Sequence, residues 1–132
     1  VIVDLFTKDI DINSKLDTVE VVFSETISGI NYSDFSFTDL STGSSYLNAG
    51  TLSDTILRLN ISPTSLLYDT NVVPKLSYNG TTLSDTNGNI FDTVSIKTVR
   101  DGIAPKLLSI TTKDLSNNGK IDTLRYVYSE NL

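Results

Sequence analysis

The residues of this chain best suited to chemistry form one short run, Asp9-Ile10-Asp11-Ile12-Asn13-Ser14-Lys15-Leu16-Asp17, with oxygen-bearing side chains at every second position. Hard cations such as Ca2+ are held by oxygens. A compact loop can supply them from the side chains at positions 1, 3 and 5 and the backbone carbonyl at position 7. Here those positions are Asp9, Asp11, Asn13 and the Lys15 carbonyl, with Asp17 at position 9. Alternating acids concentrate repulsion that a cation relieves and that a turn alone does not need. The same residue types also build ordinary polar turns, because Asp and Asn accept from nearby backbone N–H groups. Cation loop and solvated turn both follow from the residues.

A second run repeats the pattern with Asp114, Ser116, Asn118, the Lys120 carbonyl and Asp122, and it places Gly119 where the first has Ser14. An EF-hand loop ends in a bidentate Glu at position 12. Glu20 stands there in the first run but Arg125 in the second, so neither is an EF-hand. Calcium takes about six to eight oxygens, more than either run provides. Water or a further carboxylate must complete the shell, with Asp101, Asp85 and Asp4 as candidates. Three carboxylates against two predict that the first run binds Ca2+ more tightly.

Other chemistries are poorly provided for. His and Cys are absent, which removes the usual general base, the thiol nucleophile and any disulfide. An Asp/Glu pair acting on glycans is not marked out by spacing, and no enzymatic activity is expected. Ten Lys and Arg among sixteen Asp and Glu give a net charge of −6, the wrong sign for tracking a phosphate backbone. No apolar run approaches the roughly 18 residues of a membrane span, and any secretion signal is expected outside this chain. Asp85-Thr86-Asn87-Gly88-Asn89 with Asp92 reads as a tight turn before it reads as a cation site. Asn31-Tyr32-Ser33, Asn60-Ile61-Ser62 and Asn79-Gly80-Thr81 fit the glycan-acceptor pattern, which short Asn/Ser/Thr-rich chains also produce by chance.

The oxygen runs lie inside a longer repeat. TKDIDINSKLDTVEVVFSE, residues 7 to 25, returns as TKDLSNNGKIDTLRYVYSE, residues 112 to 130, without a gap and at a constant offset of 105. Apolar positions return as apolar: Leu16 as Ile121, Val19 as Leu124, Val22 as Val127, Phe23 as Tyr128. A fixed period marks an array, and this one has the length of a domain. Asp101-Gly102-Ile103-Ala104-Pro105 reads as the joint. The expected organisation is one unit over 1–103 and the start of a second over 104–132. The second would hold only two strands, too few to stand alone in water, and is expected to be completed by further chain or by another molecule. Ser24-Glu25 and Ser129-Glu130 are candidates for bonding into the joint.

Seven segments rich in Val, Ile, Thr, Tyr and Phe read as strands: 1–6, 16–23, 35–39, 44–49, 55–61, 72–78 and 93–99. Pro74 suggests an edge position or a bulge for the sixth, and 64–68 could form one helical turn. About seven strands in some 100 residues predict an all-β, immunoglobulin-like sandwich, followed by the first two strands of a second copy.

Four pieces resemble the bacterial Ig-like tandem repeats of adhesins, surface-layer proteins and cell-surface motility proteins. They are Val22-Phe23-Ser24-Glu25, Leu76-Ser77-Tyr78-Asn79-Gly80, Leu83-Ser84-Asp85-Thr86-Asn87-Gly88-Asn89 and the 101–105 joint. The resemblance implies extracellular modules at the cell surface, often stabilised by Ca2+. Their partners would be adjacent repeats of the same polypeptide, or neighbouring copies in a lattice or filament. The expected function is a structural repeat of a surface layer, stalk or adhesin. The alternatives are a module gripping carbohydrate or a host protein, with Tyr32, Tyr46 and Tyr68 as the aromatic material, and a filament subunit completed by strand addition.

Overall fold

The computed structural model describes the backbone of residues 1–132 and every side chain except that of Ser95. The chain is all-β. Its strands are β1 (Ile2–Lys8), β2 (Thr18–Phe23), β3 (Ile27–Ser28), β4 (Phe35–Thr38), β5 (Ser45–Ser53), β6 (Ile56–Ser62), β7 (Lys75–Tyr78), β8 (Ser84–Asp85), β9 (Val94–Thr98), β10 (Leu107–Lys113) and β11 (Thr123–Tyr128). The expected seven are β1, β2, β4, β5, β6, β7 and β9. The two-residue strands β3 and β8 pair with each other and are too short to leave a periodic signal.

Two sheets form the sandwich, one in the order β1-β2-β6-β5 and the other β4-β7-β9. Period-2 alternation decides what faces inward. Leu57, Leu59 and Ile61 of β6 are buried, while Ile56, Arg58 and Asn60 are only half-buried. With Leu5, Val19, Val21 and Phe23 they meet Phe35, Leu76, Tyr78 and Val99 of the opposite layer. Each buried aliphatic side chain contributes about 1.5–3 kcal/mol by leaving water. Aromatic rings close one end, with Phe23 and Phe91 edge to face at 5.4 Å and Tyr78 5.8 Å from Phe91. β2 lies between β1 and β6, and its outer face is covered too: Glu20 is buried where Lys8 Nζ (2.9 Å) and Arg58 Nε (3.0 Å) both donate to its Oε2.

Two local expectations need correction. Pro74 lies neither at an edge nor in a bulge. It immediately precedes β7, the central strand of its sheet, where a missing N–H does no harm and its carbonyl accepts from Val99 N (2.8 Å). Residues 64–68 form no helical turn. Among the described residues the single short helix is a 3-10 turn at Tyr32–Asp34, started by Asn31, whose side chain accepts from Ser33 N.

β1 joins the two layers. It pairs with β2 along its length, while Thr7 N donates to Arg100 O and Arg100 N to Leu5 O, both at 2.9 Å. The 101–105 segment therefore leaves the sandwich against β1. Gly102 is required there, since a Cβ would sit 2.4 Å from the Thr7 carbonyl oxygen. Beyond it β10 and β11 form a separate two-stranded antiparallel sheet. No helix among the described residues is long and apolar enough to cross a membrane.

Candidate metal centre

The loop between β1 and β2 is built by its own acids. Asp17 N donates to Lys8 O (3.2 Å), closing the neck. Asp17 Oδ2 accepts from Ile10 N (2.9 Å) and Asp11 N (3.3 Å), and Asp9 accepts from Asn13 N (3.0 Å) and Ser14 N (2.6 Å). Asp11 takes the amide of Asn13 at 2.8 Å. Turning this tightly puts Ile12 and Ser14 at positive φ, +60° and +68°. As a result Asp9, Asp11 and Asp17 each bring a carboxylate oxygen within 4.8 Å of the others. Two such charges repel by about 3 kcal/mol at the effective dielectric of a protein surface. Lys15 does not offset this, because its ammonium bonds to the Thr64 carbonyl oxygen (3.1 Å).

The internal bonds leave acceptors over. Asn13 Oδ1 and Asp17 Oδ1 are buried and receive no hydrogen bond from the described residues. A third such oxygen is Asp69 Oδ2, from the loop between β6 and β7. Asp69 is only 5% exposed. Its Oδ1 accepts from Leu16 N (2.7 Å) and its own N–H donates to Ser14 O (3.0 Å), so its carboxylate is tied to the far side of the oxygen run. Buried carboxylate oxygens are expensive to leave unpaired, and among the described residues no Lys or Arg pairs with Asp69. Asp9, Asp11 and Asp17 lie together, with Asn13 bonded to Asp11, and oxygens of this kind suit a hard cation.

The second run has the same frame and a different outcome. Asp122 N donates to Lys113 O (3.1 Å), and Asn117 and Gly119 take the positive φ values of Ile12 and Ser14. Asp122 accepts from Leu115 N and Ser116 N, and Asp114 from Asn118 N, Gly119 N and the Ser116 hydroxyl. The Leu115 N–H beside Asp122 is the main cause of its lowered pKa. Desolvation pushes Asp114 up, but the Gly119 and Asn118 N–H groups outweigh it and hold that carboxyl below its usual value. Asn118 Oδ1, the counterpart of Asn13 Oδ1, is taken by Lys120 N (2.9 Å). The second loop spends its acceptors on its own backbone.

None of the three carboxylates put forward to complete the first shell is tied to the loop. Asp4 pairs with Arg100 (2.8 Å), Asp85 closes the 85–89 turn through Asn87 and Asn89, and Asp101 accepts from Ile103 N (3.1 Å). Asp69 is the carboxylate that bonds to the loop backbone, through Leu16 N and Ser14 O.

No family model, curated protein or solved structure matches the chain, so the site is read from its own geometry.

Two further groups of residues bear on function. Tyr32 and Tyr46 are half-buried and bonded to each other's neighbourhood, Tyr46 OH donating to Tyr32 O (2.9 Å) with Phe37 against its ring. Burial, with Tyr32 adding to it, raises the Tyr46 pKa. Tyr68 is half-buried beside Leu66 and Leu67, so the three tyrosines do not form one exposed platform. Ser129 does bond at the joint, accepting from Lys106 N (2.8 Å) and meeting Thr70 Oγ1 at 2.7 Å. Ser24 accepts in the same way from the Val1 N-terminus (3.0 Å).

Proposed function

We propose that this chain is a structural, Ig-like repeat segment of an extracellular surface protein, made rigid by Ca2+ at the Asp9–Asp17 loop. The observation that carries this reading is that the two hairpins agree pair for pair. Ile2↔Phe23, Leu5↔Val21 and Lys8↔Thr18 return as Leu107↔Tyr128, Ile110↔Tyr126 and Lys113↔Thr123, with a bulge at the same place in each. Lettered in chain order without the two-residue strands, the sheets run A-B-E-D and C-F-G, the order of a constant-type immunoglobulin sandwich. Residues 1–103 then form a complete unit, and 104–132 open the next.

Such a unit needs no reacting group. Its work is to hold a fixed distance, and a cation that cancels the acid cluster stiffens the end nearest the joint. Asp9, Asp11, Asn13 and Asp17 would hold the ion through their side chains, and Lys15 through its carbonyl. Calorimetric melting tests both parts. Residues 1–103 alone should melt cooperatively within about 4 °C of the full chain, a shift worth about 1 kcal/mol in a domain of this size. Ca2+ should raise the melting temperature of either form, and chelator should reverse the rise. A fragment that fails to fold defeats the two-unit reading, and an unmoved transition defeats the metal reading.

The second hairpin supports a related possibility. Ile110, Ile121, Leu124 and Tyr126 are 50–67% exposed, whereas their counterparts Leu5, Leu16, Val19 and Val21 are buried. This apolar face is suited to strands supplied from outside residues 1–132. If a neighbouring copy supplies them, size-exclusion chromatography should show oligomers; a monomer eliminates that donor.

A further inference from the structure

We infer that Asp69 is a direct ligand of the cation at the Asp9–Asp17 loop, so that the ion ties the loop after β6 to the loop after β1. The inference rests on the calcium reading and adds a residue and a consequence to it. Asp69 is buried, its Oδ1 is fixed by Leu16 N, and its Oδ2 has no donor among the described residues. Two other buried oxygens without donors, Asn13 Oδ1 and Asp17 Oδ1, belong to the same loop. These three acceptors lie on the two loops that Asp69 joins through Leu16 N and Ser14 O, and oxygens without hydrogen-bond donors suit a cation that takes their lone pairs. Asp69 stands outside the three carboxylates that already lie within 4.8 Å of one another, so binding a divalent cation would draw its free oxygen in as a fourth.

The consequence is a difference between the two runs. No carboxylate from elsewhere in the described chain bonds into the 114–122 loop, and its Asn118 oxygen is already engaged. One tight Ca2+ site per chain is therefore expected, at the first loop. Occupancy also reaches the joint, since Thr70, the residue after Asp69, is the one that meets Ser129.

The test is calcium titration calorimetry on the whole 132-residue chain and on its Asp69→Asn variant, with Asp39→Asn as control, an exposed acid paired with Lys75 (2.7 Å). Asn keeps an oxygen for Leu16 N and removes the charge. D69N should bind Ca2+ at least tenfold more weakly, while D39N should match the unaltered chain. In chelator D69N should melt no lower than the unaltered chain, because a buried uncompensated charge is gone; a merely structural Asp69 would lower melting under both conditions. The 13C resonance of the Asp69 carboxyl in the unaltered chain gives a readout that needs no variant, and it should shift on Ca2+ addition. If the chain binds Ca2+ but D69N binds equally well, or the Asp69 carboxyl does not move, Asp69 is no ligand and the calcium reading survives. If the unaltered chain binds no Ca2+, both fall.

Discussion

At the scale of single residues, the loop frame makes a sharp statement about Ser14 and Gly119. Both sit at positive φ, +68° and +77°, and a Cβ on Gly119 would meet nothing within 4 Å. Only backbone conformation then separates Ser from Gly. Left-handed backbone costs a non-glycine residue about 1–2 kcal/mol, partly offset by the entropy glycine loses on folding. Ser14→Gly should therefore stabilise the sandwich by about 0.5–1 kcal/mol in urea unfolding; a loss would mean that the hydroxyl has an essential partner. Glu20 offers a second test at this scale. Lys8 and Arg58 both donate to its Oε2 and are themselves about a third exposed. Replacing either by Ala should cost about 1 kcal/mol, because the other still neutralises the carboxylate. The double variant should cost more than the two together, since Glu20 is then buried and unpaired. A double-mutant cycle with no coupling would contradict this.

Among whole elements, position in the repeat is separable from position in a core. Leu16 and Ile121 are counterparts, yet Leu16 is fully buried and Ile121 is 67% exposed. Leu16→Ala should cost about 2–5 kcal/mol and Ile121→Ala less than about 0.5 kcal/mol. Equal costs would show that the second hairpin is packed as the first is. This contrast also explains what the sequence could convey. Seven strands were legible because β-branched and aromatic residues alternate along them, and the β1–β2 loop was legible because its spacing occurs twice. Pro74 misled because a proline just before a strand looks like one within it until the pairing is known. Asn31-Tyr32-Ser33 matched a glycan pattern, while locally its Asn31 oxygen starts a 3-10 turn. Asp69 was out of reach for a different reason. It lies 53 residues from Leu16, and only folding brings its carboxylate to that N–H.

For the molecule as a whole, side-chain bonds connect the sandwich to the second hairpin. Ser129 bonds to Thr70 there, and the Glu130 carboxyl lies beside Thr70 and Asp101 with its Oε1 buried and, among the described residues, unbonded. Desolvation raises the Glu130 pKa. A hydrogen bond from Thr70 opposes the rise, and the Asp101 carboxylate adds to it. A carboxyl whose pKa is raised in the docked joint binds its proton more tightly there than when the hairpin swings free. Docking is therefore favoured below the ordinary Glu range, near pH 4.5, and that advantage is lost as pH rises through the raised value. Because the chain has no Cys, spin labels on Cys introduced at Ser53 and Thr111, both exposed, report the joint alone. Their distance distribution should narrow from pH 7 to pH 4. Glu130→Gln, which cannot ionise, should give the narrow distribution at both pH values, and Asp101→Asn should leave a weaker pH response than the unaltered chain. A distribution equally broad at both pH values would mean that Glu130 does not control the joint. One equally narrow at both would mean that the Thr70–Ser129 contact and the 101–105 segment hold it rigid without help from protonation.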